Sequence, residues 1–272
     1  MPYLRTRLGR WYYQERGEPK KKGDPAILLL HSLLCDGRMW AAQVEPLAAL
    51  GRVVVIDGPG HGKSEAPPKF SLEEHADALY DALSELGADR AIMIGLSWGG
   101  MISMRFALQH PEKLAAMAVL DSSADRQPRG EVVRYRAFIS FARRFGIPRM
   151  LVDRDIAKKM YCADTIRRRP ELVDALARQM NGYEREGLVR ACKAVVVHRS
   201  SIVEKLDRVR TPTLVMCGSE DAATPPAKSE EIAAGIAGAK LVYIEGAGHL
   251  SAIEQPERVN EELTRFVRAH LG

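Results

Sequence analysis

The segment AIMIGLSWGGMISMRFALQHP, residues 91–111, changes its pattern halfway along. It begins with a short apolar run typical of a buried strand, and from Met101 onward its apolar residues follow a helical period. A strand that turns directly into a helix brings the backbone on both sides of the turn into close contact. Gly95 and Gly99 remove the two side chains that would collide there, and Ser97 occupies the turn. The pattern predicts a nucleophile elbow, which holds one serine hydroxyl above the edge of a sheet.

Short apolar runs alternate with helical patterns along most of the chain. Such runs are typical of strands buried on both faces, and their alternation with helices requires crossover connections. The sequence therefore predicts an α/β fold with a mostly parallel, twisted sheet and helices on both faces. A hairpin is predicted at residues 3–17, and Ser71 with Glu74 has the spacing of a capping box that begins a helix. The predicted strands cover residues 26–31, 52–57, 90–95, 114–121, 211–218 and 240–246.

The alternation breaks between residues 124 and 206, where helical patterns occur without a convincing strand. This interval is basic: residues 126–205 contain 19 Lys+Arg and 9 Asp+Glu, against 21 and 26 in the rest of the chain. We predict that residues 124–206 form a helical cap, or lid, inserted into a core of residues 1–123 and 207–272. The basic residues either attract an anionic substrate or lie on solvated faces of the cap helices.

Composition and motifs argue against several classes of partner. The apolar runs are all far shorter than the ~20 residues that span a bilayer, so no membrane partner is expected. We expect no nucleic-acid partner for the basic interval either. The segment DGPGHGKS lacks the glycine spacing of a phosphate-binding loop, and no cluster of histidines and cysteines predicts a metal. The four cysteines are scattered, which predicts reduced thiols in a cytoplasmic protein.

A serine hydroxyl is a weak nucleophile at neutral pH, so it needs a base and an acid that orients the base. After a strand–elbow–helix segment, these partners follow in the order acid, then histidine. Among the seven histidines, His249 alone lies in a glycine-containing loop just after a late strand. The predicted acid is Asp221, which lies in the loop CGSEDAATPP at the end of the strand predicted at residues 211–218. Asp121 and Glu220 are the alternatives.

A carbonyl attacked by Ser97 develops negative charge on its oxygen, which requires well-placed hydrogen-bond donors. The backbone N–H of Trp98, the residue after the serine, is the first predicted donor. The second is expected from the loop HSLLCDG after the first long buried strand, with Leu33 as the predicted residue. Side chains expected to line a substrate pocket are Leu34, Phe138, Phe141, Met150, Tyr161 and Leu250.

With these motifs placed, the chain resembles an α/β-hydrolase with a helical cap. Within that superfamily it is most similar to the 3-oxoadipate enol-lactonase and related carboxylesterase group. The resemblance covers nearly the whole chain and rests on HSLLCDGRMW, GLSWGGMISMRFALQHPEKL, GSEDAATPP and GAGHLSAIEQPE. It implies Ser97, Asp221 and His249 as a catalytic triad. The group often has an arginine before GHG, where Pro59 stands here.

The residues and the resemblance together predict a serine hydrolase that cleaves carboxylic esters or lactones through an acyl-enzyme. A small-molecule substrate and no cofactor are expected. C–C bond hydrolases that act on vinylogous diketones share this outline, as do perhydrolases, so both are alternatives. A ligand sensor with little turnover is a third alternative, and the sequence leaves open whether the protein is a homo-oligomer.

Overall fold

An eight-stranded sheet forms the centre of the protein. The computed structural model describes residues 2–271, so the predicted domain bounds at residues 1 and 272 lie outside the described residues. The strands are β1 (Tyr3–Thr6), β2 (Gly9–Arg16), β3 (Ala26–Leu30), β4 (Val53–Ile56), β5 (Ala91–Leu96), β6 (Leu114–Leu120), β7 (Thr213–Gly218) and β8 (Lys240–Ile244). Across the sheet they lie in the order β1-β2-β4-β3-β5-β6-β7-β8. Strands β3 to β8 pair in parallel and β1–β2 is an antiparallel hairpin, which confirms both predictions.

Helices connect the parallel strands. The α-helices are α1 (Ala41–Ala48), α2 (Leu72–Glu85), α3 (Trp98–Gln109), α4 (Arg129–Phe145), α5 (Arg149–Leu151), α6 (Ala157–Met160), α7 (Ala163–Arg168), α8 (Pro170–Gly182), α9 (Arg185–Cys192), α10 (Pro226–Gly235), α11 (Ser251–Glu254) and α12 (Pro256–His270). The predicted capping box is confirmed, since Ser71 and Glu74 exchange hydrogen bonds at the start of α2. Within residues 2–271, no helix has both the length and the apolar character needed to cross a membrane.

Alternate residues of the central strands pack into two separate cores, one on each face of the sheet. Leu28 and Leu30 of β3 join the core that contains the apolar side chains of α2 and α3. Ile27 and Leu29 join the opposite core, which contains apolar side chains of α1 and α12. Because both faces of these strands are buried, their sequences are continuous apolar runs rather than alternating ones.

Six helices, α4 to α9, lie between β6 and β7, and no strand occurs there in the described chain. We call residues 124–206 the cap segment; its status as a separate domain stays a prediction. It contacts loops that follow the carboxyl ends of two strands. The Leu250 N–H donates to the Met160 carbonyl at 3.0 Å. A Cβ on Gly60 would lie 2.4 Å from the Gly187 carbonyl oxygen, so cap and core are in direct contact there.

Candidate active site

Ser97 lies in the tight turn between β5 and α3, as the glycine spacing predicts. Its φ of 55° and ψ of −107° are a strained combination that costs a non-glycine residue about 1–3 kcal/mol. A Cβ on Gly95 would lie 2.3 Å from the Gly99 carbonyl carbon, and one on Gly99 would lie 2.1 Å from the Leu30 oxygen. Only glycine fits at either position. The Ser97 N–H donates to the Leu120 carbonyl at 2.8 Å, which ties the turn to β6.

A hydrogen-bonded carboxylate and imidazole lie at the same edge of the sheet. Asp221 follows β7 and His249 follows β8, and the His249 Nδ1 is 2.9 Å from the Asp221 Oδ2. The other carboxylate oxygen, Oδ1, accepts hydrogen bonds from the N–H groups of Ala223 and Thr224 at 2.8 and 2.9 Å. An ionised carboxylate can only accept, so the proton of the neutral imidazole is on Nδ1. The Nε2 atom is therefore left as the proton acceptor.

The environment favours the charged forms of both members of this pair. Burial lowers the pKa of His249, but the Asp221 carboxylate more than offsets this effect and raises the pKa above its ordinary value. Burial raises the pKa of Asp221, yet the imidazole and the hydrogen bonds from Thr224 hold it below the usual range. The pair can therefore accept a proton on the imidazole while the carboxylate stays ionised.

The alternative acid, Asp121, has different partners. Its Oδ1 accepts the Gly218 N–H at 2.7 Å, and its Oδ2 is hydrogen-bonded to the Ser251 hydroxyl. Burial and the nearby Asp221 charge raise the pKa of Asp121 to about 8, which favours its protonated form. The geometry thus favours Asp221 as the acid that orients His249.

The two backbone amides predicted to hold an oxyanion are both unpaired in the described part of the chain. Within residues 2–271, no hydrogen-bond partner is found for the N–H of Leu33 or of Trp98. Trp98 is the first residue of α3, and the leading amides of a helix have no acceptor within it. The Leu34 N–H, by contrast, donates to the His61 Nε2 at 3.2 Å. The two unpaired amides are the ones predicted to hold an oxyanion, and that role stays a prediction.

Sequence analysis missed the residues that support this loop. They come from DGPGHGKS, the segment that fails as a phosphate-binding loop. His61 accepts the Leu34 N–H, and the Asp57 Oδ1 accepts the Gly37 N–H at 2.9 Å. A Cβ on Gly62 would lie 1.9 Å from the Asp57 Oδ2, so only glycine fits beside the carboxylate. The glycines on both sides of His61 were the available signal.

Glu254 is a second residue that sequence analysis missed. It is buried, and its two carboxylate oxygens accept backbone amides from different parts of the chain. The Oε1 atom accepts the Gly248 N–H at 2.8 Å, and the Oε2 atom accepts the Cys162 N–H at 2.9 Å. Glu254 therefore joins the turn that precedes His249 to the cap segment. Its position five residues after the histidine was the only available signal.

Two cavities adjoin the loop that contains Leu33. The first, of about 480 Å³, is lined mainly by apolar side chains of the cap segment, including Phe138, and by Leu34. The second, of about 940 Å³, is more polar and includes Tyr161 in its wall. Neither cavity is lined by Ser97 or His249, both of which are buried.

Two of the predicted pocket residues face solvent instead. Phe141 is 41% exposed and Met150 is 66% exposed, and neither lines these cavities. The prediction is wrong for both. Ile139 and Phe138 occupy the inward face of α4, which turns Phe141 outward, whereas Met150 lies beyond that helix in the short helix α5. Leu250 is fully buried and lines neither cavity.

Many basic side chains of the cap segment are paired at the surface. Arg143 contacts Glu186, and Arg149 contacts Asp153, each at 2.7 Å with both partners exposed. Exposed pairs of this kind contribute about 0–1 kcal/mol, and they hold these arginines against neighbouring carboxylates at the surface. These contacts favour solvated cap faces over substrate attraction. In the part of the chain that the structure describes, no group of three or more His, Cys, Asp or Glu is placed to hold a metal ion.

Comparison with known proteins places the chain in a family. A sequence profile described as the alpha/beta hydrolase fold matches residues 25–256, most of the chain. The chain belongs to the α/β-hydrolase family. The tight turn after β5 and the hydrogen-bonded Asp221 and His249 after β7 and β8 all lie within the matched residues.

Solved α/β-hydrolases superpose on this one over nearly its full length. An esterase from Thermogutta terrifontis has a TM-score of 0.90 and 28% identity, and the match covers 99% of this chain and 98% of that one. The enol-lactonase from Burkholderia xenovorans has a TM-score of 0.88 and 28% identity, with 98% and 100% covered. A Rhizobium rhizogenes protein whose name proposes a carbamate hydrolase is 27% identical over 253 residues, which are 89% of this chain and 92% of that protein. The similarity of this α/β-hydrolase to esterases and enol-lactonases is confirmed.

Proposed function

We propose that this α/β-hydrolase cleaves carboxylic esters, including lactones, through an acyl-enzyme on Ser97. The observation that carries the proposal is the hydrogen bond between Asp221 and His249, formed at the sheet edge that also presents the strained Ser97 turn. A buried carboxylate that fixes an imidazole tautomer has a clear chemical use when a hydroxyl nearby must lose its proton.

In the proposed reaction, the Ser97 Oγ attacks the ester carbonyl while the His249 Nε2 takes its proton. Asp221 stabilises the imidazolium that forms, and the amides of Leu33 and Trp98 hold the oxyanion. His249 then protonates the leaving alcohol. Water attacks the acyl-enzyme by the reverse sequence of proton transfers, which frees the acid and restores Ser97.

We call the first of the two cavities, which is lined mainly by the cap segment, the cap cavity. Its wall suits an apolar part of the substrate. Its wall is mainly apolar and includes Leu34, which is adjacent in the chain to the predicted donor Leu33. The cavity, of about 480 Å³, has room for an apolar acyl or alcohol group of small or medium size, and burial of that group would favour binding. Similar proteins named as an esterase and an enol-lactonase support the same substrate class.

A substrate panel tests the proposal. It comprises p-nitrophenyl esters of graded acyl length, simple lactones and a vinylogous diketone. We expect steady-state turnover of esters and lactones, with an optimum in acyl length, and slow cleavage of the diketone. Preferred cleavage of the diketone would assign a C–C hydrolase, and turnover that requires peroxide would assign a perhydrolase. A single burst without steady state would assign a ligand sensor.

The pH dependence of ester hydrolysis should report His249. Because the Asp221 charge raises the pKa of His249, the imidazole is protonated below that value and cannot act as a base. We therefore expect kcat/KM to fall as pH falls through an apparent pKa above about 6.5. Burial lowers the pKa of His31, His61 and His75, so these histidines stay neutral over the same range. A profile that stays flat down to pH values well below the ordinary histidine pKa would contradict the assignment.

A further inference from the structure

The exposed apolar side chains of this protein are concentrated in one short stretch. Across residues 2–271, five large apolar side chains are exposed, and four of them lie between residues 133 and 150. Val133, Phe145 and Met150 are about two-thirds exposed, at 69%, 67% and 66%. Single exposed apolar residues need no explanation, but a cluster of this kind marks an interaction surface.

Three of these residues belong to a continuous stripe along α4. Val133, Ala137, Phe141 and Phe145 are spaced by four residues, which places them on one face of the helix, and all four are exposed. The Phe141 and Phe145 rings lie 5.1 Å apart. We call these four residues the apolar stripe. The opposite face of α4 packs inward through Ile139, so the apolar stripe is not needed to hold the helix in place.

Positive charge surrounds the apolar stripe. Helix α4 contains five arginines and a single glutamate. Within the described chain, no carboxylate forms an ion pair with Arg129, Arg136 or Arg144. The Arg144 guanidinium lies over the Phe145 ring at 5.6 Å from its centroid. The partner of this surface should therefore be apolar in its interior and negatively charged at its boundary.

We propose that the apolar stripe and its arginines dock the protein onto an anionic lipid bilayer surface. An amphipathic helix with aromatic residues on one face and arginines beside them lies flat in the interface, with its apolar side chains among the acyl chains. A second copy fits less well, because a two-fold contact through α4 would bring the unpaired arginines of the two copies together. The expectation of no membrane partner rests on the absence of a spanning apolar run, and this docking needs none.

The location of the cap cavity gives the docking a use that rests on the proposed function. Phe138 and Ala142, on the inward side of α4, line that cavity. A bilayer bound to the outer side would therefore lie one helix diameter from the substrate space. Docking itself is independent of catalysis and is tested without a substrate.

Vesicle flotation of the full chain tests the proposal. We expect the protein to float with vesicles of phosphatidylcholine and phosphatidylglycerol at low salt, and about tenfold less with phosphatidylcholine alone. Phe141→Ser with Phe145→Ser should reduce flotation with anionic vesicles about tenfold, since two aromatic side chains no longer enter the interface. Both side chains are exposed, so the melting temperature should not change.

Matched controls separate this surface from general effects. Tyr243→Ser removes an aromatic side chain that is 41% exposed, as Phe141 is, but lies on β8. Replacing Arg129, Arg136 and Arg144 by Gln should abolish the preference for anionic vesicles. Replacing Arg154, Arg167 and Arg168 by Gln changes the net charge equally. These arginines pair with Asp155 and Asp164, so the preference for anionic vesicles should remain.

Three outcomes would overturn the proposal. Equal flotation with anionic and neutral vesicles is the first, and flotation that the Phe141 and Phe145 substitutions leave unchanged is the second. The third is absence of flotation together with a dimer in solution that the same double substitution dissociates. That result would assign the surface to a second copy of this chain.

Discussion

Ser97→Ala should lower kcat/KM for p-nitrophenyl esters on the order of 10⁶-fold, because the hydroxyl proposed to form the acyl-enzyme is lost. The fold should survive the change. In the described structure the Ser97 Oγ has no hydrogen-bond partner, and alanine has nearly the same volume. The measurement is steady-state hydrolysis by the purified variant, with its melting temperature compared with that of the unmodified protein.

Ser103→Ala is the matched control for this experiment. Ser103 is also buried, lies in α3, the helix that follows Ser97, and its hydroxyl donates only to the Gly99 carbonyl at 2.9 Å. Its replacement should leave activity within a fewfold of the original. Ester turnover retained by the Ser97 variant, or labelling of another residue by a serine-directed phosphonate, would show that the nucleophile lies elsewhere.

Asp221→Asn should lower kcat about 10⁴-fold while leaving the fold intact. The amide oxygen of the new residue would accept the Ala223 and Thr224 N–H groups as the Oδ1 of Asp221 does. Its NH₂ group would then face the His249 Nδ1 and require an acceptor there. The imidazole proton would move to Nε2, which removes the base from the atom that must accept the serine proton.

Asp121→Asn is the discriminating companion variant. Because the raised pKa favours the protonated form of Asp121, asparagine is close to it in both shape and charge. The amide oxygen can accept the Gly218 N–H, and the NH₂ group can donate to Ser251. Activity should therefore stay within a fewfold. A large loss of activity in Asp121→Asn, with little loss in Asp221→Asn, would show that Asp121 rather than Asp221 is the acid that orients His249.

The fold was largely predictable because its signals are local. Six parallel strands are continuous apolar runs, the hairpin has Gly9 at its turn, and the elbow requires glycine at two fixed positions. The choice between Asp121 and Asp221 was harder, since each follows a strand that ends at the same edge. Only the three-dimensional structure shows which carboxylate meets an imidazole.

The cap segment was less predictable for a physical reason. Helical periodicity tells which residues share a face, but not which face is turned to the core. Phe138 and Phe141 have the same chemistry and lie one turn apart, yet one lines a cavity and the other is exposed. The roles of His61 and Asp57 also depend on contacts with a distant loop, which sequence spacing does not reveal.

The two amides that Glu254 accepts have a mechanical consequence. One is the N–H of Cys162 in the cap segment, and the other is the N–H of Gly248 in the turn before His249. Any outward movement of the cap segment at Cys162 must first break the hydrogen bond between the Cys162 N–H and the buried Glu254 carboxylate. Glu254 also holds Gly248, the residue before His249, so we expect substrate entry and alignment of the proposed base to be coupled.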